Sequence, residues 1–295
     1  MADERVLDCV GLRRRFADLV AVDGVGFHID AGETYGLLGP NGAGKTTTIS
    51  MIVGLLERDG GEITVEGRAM TTHSVRAKAL LGYVPQDLAI YPDLTARENL
   101  LFFARLYGMS GSQAAARTSE VLEVIGLADR AGEQTKTYSG GMKRRLNMGI
   151  ALLHQPRLLI LDEPTVGVDP QSRNAILDNV RSLSAKGLAV LYTTHYMEEA
   201  EHLCDRIGII DHGKLIAEGT PRELVGLVGE RDRIALGAAG DLPAAAAVWM
   251  ISGRRRRRHG QDGRGDRTRP RSRLFAPDRA RPARLIGPYP CEPPG

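Results

Sequence analysis

The feature that most constrains this chain is a glycine-rich loop, which reads Gly39-Pro40-Asn41-Gly42-Ala43-Gly44-Lys45-Thr46-Thr47. It follows a strand-like apolar run at 34–38 and precedes a helix-like run at 46–55. The loop matches G-x-x-x-x-G-K-[ST], the pattern in which backbone N–H groups and a helix N-terminus bind phosphate. The alternative is a plain glycine-rich turn. Because a strand and a helix flank the loop, the sequence predicts a nucleotide-phosphate site.

Polar side chains at two places predict the chemistry of this site. Lys45 is expected to reach the β- and γ-phosphates, and the Thr46 hydroxyl to ligate Mg²⁺. Asp162 and Glu163 follow the apolar run 158–161, which is typical of a strand buried in a parallel sheet. We expect Asp162 to face the Mg²⁺ beside Thr46, and Glu163 to orient or deprotonate the attacking water. A strand that simply ends in acids is the alternative.

Three more residues are candidates because of their positions along the chain. Gln86 follows the short apolar run 80–84, and it is a candidate for contacting Mg²⁺ and the attacking water. His195 follows the strand-like run 188–192, and we predict a functional rather than a structural role. Phe16 lies ahead of the P-loop strand. It could stack on an adenine face or simply pack as a surface aromatic, and the sequence leaves both open.

A second anion site is predicted at the start of a later helix. Ser139 is a good N-cap, and Gly140 and Gly141 leave backbone N–H groups bare at the helix N-terminus. In isolation, this stretch would favour a capped helix with no ligand. Further on, Asp169-Pro170 is typical of an N-cap followed by a proline at the first helical position.

Taken in order, these motifs resemble the nucleotide-binding subunit of an ABC transporter over residues 5–228. The signature-like stretch has Tyr138 and Met142 where Leu and Gln are commonest, but Ser139-Gly140-Gly141 is intact. The matching stretches are the P-loop (Walker A), Gln86 (Q-loop), 138–142 (signature motif), 158–163 (Walker B and its glutamate), Val168-Asp169-Pro170 (D-loop), His195 (switch histidine) and Phe16 (adenine-stacking aromatic).

Within that family the chain is similar to the ABC-2 exporter group, near the daunorubicin-resistance type ATPases. The stretches that carry this likeness are 93–100, 103–108, 138–142 and 194–200. The resemblance implies an ATP-hydrolysing subunit that powers export of a drug, lipid or polysaccharide through a separate transmembrane permease. It further implies ATP and Mg²⁺ as cofactors and a peripheral position at the cytoplasmic face of the cell membrane.

The resemblance also implies a fold and an assembly. The fold is α/β, with a mostly parallel core sheet carrying the P-loop, an N-terminal antiparallel β part and an inserted helical subdomain at about 87–137. Two such subunits, identical or different, form a head-to-tail dimer that encloses two ATP molecules. Each ATP contacts 39–47, Gln86, Asp162, Glu163 and His195 of one subunit and Ser139–Gly141 of the other, and Asp169 is counted among the nucleotide-binding residues.

Two other functions remain open at this point. A soluble ABC ATPase acting on nucleic acid or ribosomes is one, although a single nucleotide site per chain and the lack of long heptad arms count against it. A non-catalytic binding or scaffold protein is the other, and the intact Lys45 and Glu163 disfavour it. We expect no specific nucleic-acid partner.

Charge divides the chain in two. Residues 252–295 contain 13 Arg against 4 Asp and Glu, a net charge of +9, so the rest carries +3 − 9 = −6. We assign 1–228 to the nucleotide-binding domain, 229–252 to a remnant C-terminal segment and 253–295 to an Arg/Pro/Gly-rich tail, which we expect to be disordered. A basic arm for nucleic acid or anionic lipid, and a frameshift product beginning near Ser252, are further interpretations of the tail.

Other features of the sequence argue against a secreted protein, a membrane-spanning segment, and disulfide-bonded or metal-binding cysteines. No secretory signal is expected, because the start is acidic and lacks an apolar region behind it. No run approaches the roughly 18 apolar residues of a membrane span. The scattered Cys9, Cys204 and Cys291 are expected to be reduced thiols rather than disulfides or metal ligands.

Overall fold

A computed structural model describes residues 5–228, so the predicted segments 229–252 and 253–295 lie outside the described residues. The strands are β1 (Arg5–Phe16), β2 (Leu19–Asp30), β3 (Thr34–Leu38), β4 (Gly60–Val65), β5 (Arg68–Ala69), β6 (Leu81–Val84), β7 (Leu158–Asp162), β8 (Ala189–Thr194), β9 (Arg206–Asp211) and β10 (Lys214–Gly219). The α-helices are α1 (Lys45–Ile52), α2 (Val75–Lys78), α3 (Ala96–Leu106), α4 (Gly111–Val124), α5 (Gly140–Leu152), α6 (Pro170–Ser184), α7 (Met197–Leu203) and α8 (Pro221–Val228).

A six-stranded sheet forms the centre of the fold, in the order β10-β9-β3-β8-β7-β6. Its strands are parallel except for β10, which pairs antiparallel with β9. In the register, Leu38 lies opposite Thr194, and Asp162 lies opposite Thr193. The carboxyl ends of β3, β7 and β8 therefore meet at one edge, and this edge receives the P-loop, the two carboxylates and His195.

The continuous apolar run of β7 is explained by burial on both faces. Leu158 and Ile160 belong to one hydrophobic core, whereas Leu159 and Leu161 belong to the other. Successive side chains of a strand point to opposite faces, so a strand between two cores has no polar positions. The predicted parallel core sheet is thus confirmed, together with the physical reason for its sequence pattern.

An antiparallel sheet covers one face of this centre, in the order β2-β1-β4-β5. Phe27 of β2 stacks on Tyr35 of β3, with ring centroids 4.7 Å apart. The predicted antiparallel β part is therefore confirmed. β-Bulges interrupt the pairing of its first two strands, one of them between Cys9 and Leu12.

Helices α3, α4, α5 and α6 lie on the opposite face. Thr95 and Glu98 form a capping box at the start of α3. The Arg117 side chain of α4 donates hydrogen bonds to the carbonyls of Leu152 and Leu153, at the end of α5. These bonds satisfy carbonyls that a helix C-terminus leaves without partners. The boundaries of a helical subdomain at 87–137 stay a prediction.

Within residues 5–228, the helices are all too short or too polar to cross a lipid bilayer. Cys9 and Cys204 are free and buried. Burial raises the pKa of both thiols well above the ordinary value. Cys291 lies outside the described residues.

Candidate functional site

The glycine-rich loop joins the end of β3 to the first residue of α1, and the turn between β9 and β10 braces it. The Gly213 N–H donates a 2.9 Å hydrogen bond to the Ala43 carbonyl. A Cβ atom on Gly39 would lie 2.2 Å from the Ile210 carbonyl oxygen. Gly44 has φ +107°, and a Cβ there would lie 2.6 Å from the Ala21 carbonyl oxygen. Glycine is therefore needed for space at Gly39, and for both space and conformation at Gly44.

This difference predicts an unequal cost of alanine within the loop. Gly42 has φ +81° but open space around its missing Cβ, whereas Gly44 combines a positive φ with backbone overlap. Gly44→Ala should therefore lower the free energy of unfolding about 1–3 kcal/mol more than Gly42→Ala does, as is usual for overpacking. Urea denaturation of the two variants measures the difference. Equal destabilisation would show that the positive φ alone, and not the overlap with the Ala21 carbonyl, explains the glycine at position 44.

Three charged or titratable side chains meet beside this loop. Lys45 is 5% exposed, and its Nζ donates to the carbonyls of Gly39 at 2.7 Å and Pro40 at 3.1 Å. The same Nζ lies 3.1 Å from Glu163 Oε1, while His195 Nδ1 lies 3.4 Å from Glu163 Oε2. Glu163 has φ +47°, an uncommon conformation for a residue other than glycine. The carboxylate is thus held between two groups that can carry positive charge.

Asp162 is the other carboxylate at this edge of the sheet. Its Oδ1 accepts a 2.8 Å hydrogen bond from the Thr193 hydroxyl, and it also accepts one from the Thr46 side chain. Burial raises the pKa of Asp162, while the hydrogen bonds from Thr193 and Thr46 oppose that rise. The Glu163 N–H in turn donates to Thr193 Oγ1 at 3.0 Å. Thr193 therefore orients both positions of the acidic pair.

The donor set fits Mg²⁺. The side chains of Thr46 and Asp162 are in contact, Thr46 and Gln86 line one cavity that Asp162 does not line, and all three residues offer the oxygen ligands that Mg²⁺ prefers. Among residues 5–228, no group of three or more His, Cys, Asp or Glu side chains is placed to hold a metal by itself.

A cavity of about 730 Å³ opens over the loop and collects most of the predicted residues. Phe16 is at its rim, 42% exposed, with the Arg14 guanidinium 4.8 Å from its ring centroid. Arg144 of α5 donates to the main-chain carbonyl of Gln86 and so fixes that loop. The predicted residues that line the cavity are Phe16, Asn41, Gly42, Gly44, Lys45, Thr46, Thr47, Gln86, Glu163 and His195.

Other predicted residues do not line this cavity. Ser139 caps α5 by accepting from the Met142 N–H at 3.2 Å, and Gly140 beside it is exposed. Asp169 caps α6 through the Ser172 N–H at 2.9 Å. A Cβ on Gly141 would lie 2.2 Å from Ser172 Cβ, so these two helix starts pack together. Within one chain, the signature-like motif is thus separate from the P-loop cavity.

Sequence reasoning missed several residues that shape the site. Leu19, Val20 and Ala21 line the cavity, and Tyr196 lies beside His195. No local signal marks these positions, because a turn and a strand from a distant part of the chain bring them there. Thr193 shows a weak signal, as a hydroxyl at the end of an apolar strand.

Comparison with known proteins agrees with this geometry. A model of the ABC transporter family matches residues 22–166. Linearmycin resistance ATP-binding protein LnrL of Bacillus subtilis is 51% identical over 235 residues, covering 80% of this chain and 76% of the relative. The chain belongs to the ABC transporter ATP-binding family. Members of this family are ATPases coupled to transport, and their ATP-binding domain binds ATP.

Two further matches agree with the family assignment. Nod factor export ATP-binding protein I of Burkholderia lata is 47% identical over 219 residues, covering 74% of this chain and 72% of the relative. A solved ATP-binding subunit of an ABC transporter superposes with a TM-score of 0.67 at 32% identity, covering 76% of this chain and 93% of that one. The ABC fold is thus shared over most of both chains.

Proposed function

We propose that this ABC protein is the ATP-hydrolysing subunit of an ABC-2 type exporter. It acts on a separate transmembrane permease, at the cytoplasmic face of the cell membrane. The cargo would be a drug, lipid or polysaccharide. In support, the two relatives described above are named for linearmycin resistance and for Nod factor export. Neither name supports the alternative of a soluble ATPase acting on nucleic acid or ribosomes.

One observation carries the proposal: Lys45, Glu163 and His195 meet in the P-loop cavity. Phosphoryl transfer requires mainly positioning and charge neutralisation. Lys45 and His195 already surround a carboxylate, at 3.1 and 3.4 Å, and would stabilise the γ-phosphate oxygens in the same way. Glu163 would then be free to orient and deprotonate water. Mg²⁺, when bound through Thr46, Asp162 and Gln86, would neutralise phosphate charge.

The adenine base would stack on Phe16 at the rim of the cavity. Arg14 lies over the Phe16 ring and pairs with Asp59 at 2.9 Å, which holds the aromatic side chain in place. The base would thus lie above β1 and its triphosphate over the start of α1. The loop N–H groups and the helix N-terminus favour the negative charge of the phosphates.

A second subunit would complete the site. Because Ser139, Gly140 and Asp169 do not line the cavity of their own chain, we infer that they face the ATP held by a partner subunit in a head-to-tail dimer. The exposed N-terminus of α5 would provide N–H groups to the γ-phosphate. ATP would join the two subunits and hydrolysis would release them. The permease would dock near Gln86 and the helices that follow it.

A matched pair of substitutions tests the shared site. Gly140 and Gly111 each occupy the first position of a helix after a serine N-cap, and a Cβ on either would have open space. Gly140→Asp should lower ATP turnover about 100-fold, because its carboxylate would repel the γ-phosphate of the partner's ATP. Gly111→Asp should leave turnover unchanged. Phosphate release by the purified chain measures both.

Binding of a fluorescent ATP analogue to the monomer is the second measurement. It should be unaffected by either substitution, since neither position lines the P-loop cavity. Equal turnover in the two variants would contradict the composite site. No turnover in the wild-type chain, alone or with its permease, would contradict the proposed ATPase.

A further inference from the structure

A buried carboxylate outside the ATP cavity links the segments that carry Glu163 and His195. Glu199 of α7 is 3% exposed. It accepts hydrogen bonds from the Thr165 hydroxyl at 2.8 Å, and from the Tyr192 and Thr194 hydroxyls at 2.9 Å each. Arg173 of α6 approaches it, with Nε 3.4 Å from Oε1. One side chain therefore joins four separate segments of the chain.

The first connection from Glu199 to His195 runs through Thr194. The Thr194 hydroxyl donates to Glu199 Oε2, and Thr194 Oγ1 in turn accepts a hydrogen bond from the Tyr196 N–H at 3.0 Å. The residues on both sides of His195 are thus fixed by one hydroxyl, whose orientation depends on the Glu199 carboxylate. This arrangement restricts the backbone from which the His195 side chain projects.

The second connection runs through Arg173. Its guanidinium lies 5.1 Å from the centroid of the Tyr196 ring, and the Tyr196 ring lies 4.1 Å from that of His195. Glu199 thus forms an ion pair with the guanidinium, the guanidinium lies over the Tyr196 ring, and that ring packs at a tilt against the His195 ring. Arg173 lies one turn after Asp169, the N-cap of α6. The start of α6 is therefore linked to His195 as well.

We propose that Glu199 is a positioning residue for His195, acting through Thr194 and through Arg173 and Tyr196. It touches neither the ATP cavity nor the proposed catalytic side chains. Glu199 also accepts a hydrogen bond from Thr165, two residues after Glu163. A single carboxylate therefore restrains both the segment that follows Glu163 and the segment that carries His195. The inference rests on the proposed role of His195 in ATP hydrolysis.

Glu199→Gln tests this role, and Glu33→Gln is its matched control. Glu33 is 10% exposed and pairs with an arginine, Arg206, at 2.9 Å. It immediately precedes β3, at the edge of the parallel sheet opposite the P-loop. Each change removes one almost buried carboxylate that pairs with an arginine, but only the Glu199 carboxylate contacts the segment that carries His195. Thermal unfolding of both variants measures the common structural cost.

Turnover and epistasis provide the functional test. Glu199→Gln should lower kcat about 10- to 100-fold, the usual cost of displacing a reacting group by up to an ångström, with little change in ATP affinity. Glu33→Gln should leave kcat unchanged. In a His195→Ala background, Glu199→Gln should cause no further loss, since the residue through which it acts is gone. A full additional loss there would overturn the proposal.

A spectroscopic test does not depend on turnover. The ring signals of His195, assigned among the 7 histidines by comparison with His195→Ala, are sensitive to the ring current of Tyr196. They should shift in ¹⁵N-histidine spectra of Glu199→Gln and stay in place in Glu33→Gln. Unchanged signals in Glu199→Gln would overturn the inference. An inactive wild-type chain would overturn the proposed function alone, because the signals would still report on the positioning.

Discussion

Glu163→Gln should abolish ATP turnover by the purified chain while leaving ATP bound. The amide has nearly the same shape but cannot accept a proton, so we expect a fall in kcat of about 10²- to 10⁴-fold, the usual contribution of a general base. Steady-state phosphate release measures this loss. With hydrolysis blocked, ATP should remain between two subunits, and size-exclusion chromatography in ATP should show a persistent dimer. With ADP, the variant should be monomeric.

The control is Glu33→Gln, which removes an almost buried carboxylate from the opposite edge of the parallel sheet and should keep wild-type turnover. If Glu163→Gln kept most of its turnover, Glu163 would not be the base. His195 would then be the next candidate, because its ring nitrogen lies in the same cavity.

Lys45→Ala should weaken ATP binding, whereas Glu163→Gln should leave binding intact and block hydrolysis. The Lys45 ammonium is directed into the cavity and is held by the carbonyls of Gly39 and Pro40 and by Glu163. A charge-assisted hydrogen bond contributes about 1.5–3 kcal/mol, so the Kd for ATP should rise about 10- to 150-fold. Isothermal titration calorimetry with ATP measures this. Lys78→Ala is the control, since Lys78 also donates to a backbone carbonyl but lies outside the cavity.

The two substitutions should differ in their effect on assembly. Lys45→Ala should fail to form a dimer at ATP concentrations that saturate the wild type, whereas Glu163→Gln should form one that persists. Lys45→Ala should also lower the apo protein's thermal stability, because it leaves the buried Glu163 without its ammonium partner. Wild-type ATP affinity in Lys45→Ala would contradict the assigned phosphate contact.

The parts of the fold that the sequence predicted well are those with local causes. Ser139 and Asp169 are N-caps in the structure, as predicted, because each capping hydrogen bond closes within three residues. The parallel strands were predicted because continuous apolar runs such as 158–161 have one physical explanation, burial on both faces. The position of the P-loop was predicted from its residue spacing together with the strand and the helix that flank it.

Other features depend on contacts that a local pattern does not encode. The strand β1 continues from Arg5 to Phe16, although a bulge near Gly11 interrupts the alternation of the sequence and three arginines follow it. Glu199 has the sequence context of an ordinary helical acid. Only the fold brings the three hydroxyl groups and Arg173 around it. The helix α7 that carries it has only seven residues, too few for a periodic pattern.

The turn that braces the P-loop sets an order of events during synthesis. The Ala43 carbonyl accepts its hydrogen bond from Gly213, and the Ile210 carbonyl faces Gly39. These contacts join residues separated by most of the domain. A ribosome makes the chain from its N-terminus at about 5–20 residues per second. The β9–β10 turn is therefore synthesised on the order of ten seconds or more after the P-loop. The nascent protein should therefore bind nucleotide only after the β9–β10 hairpin has emerged from the ribosome.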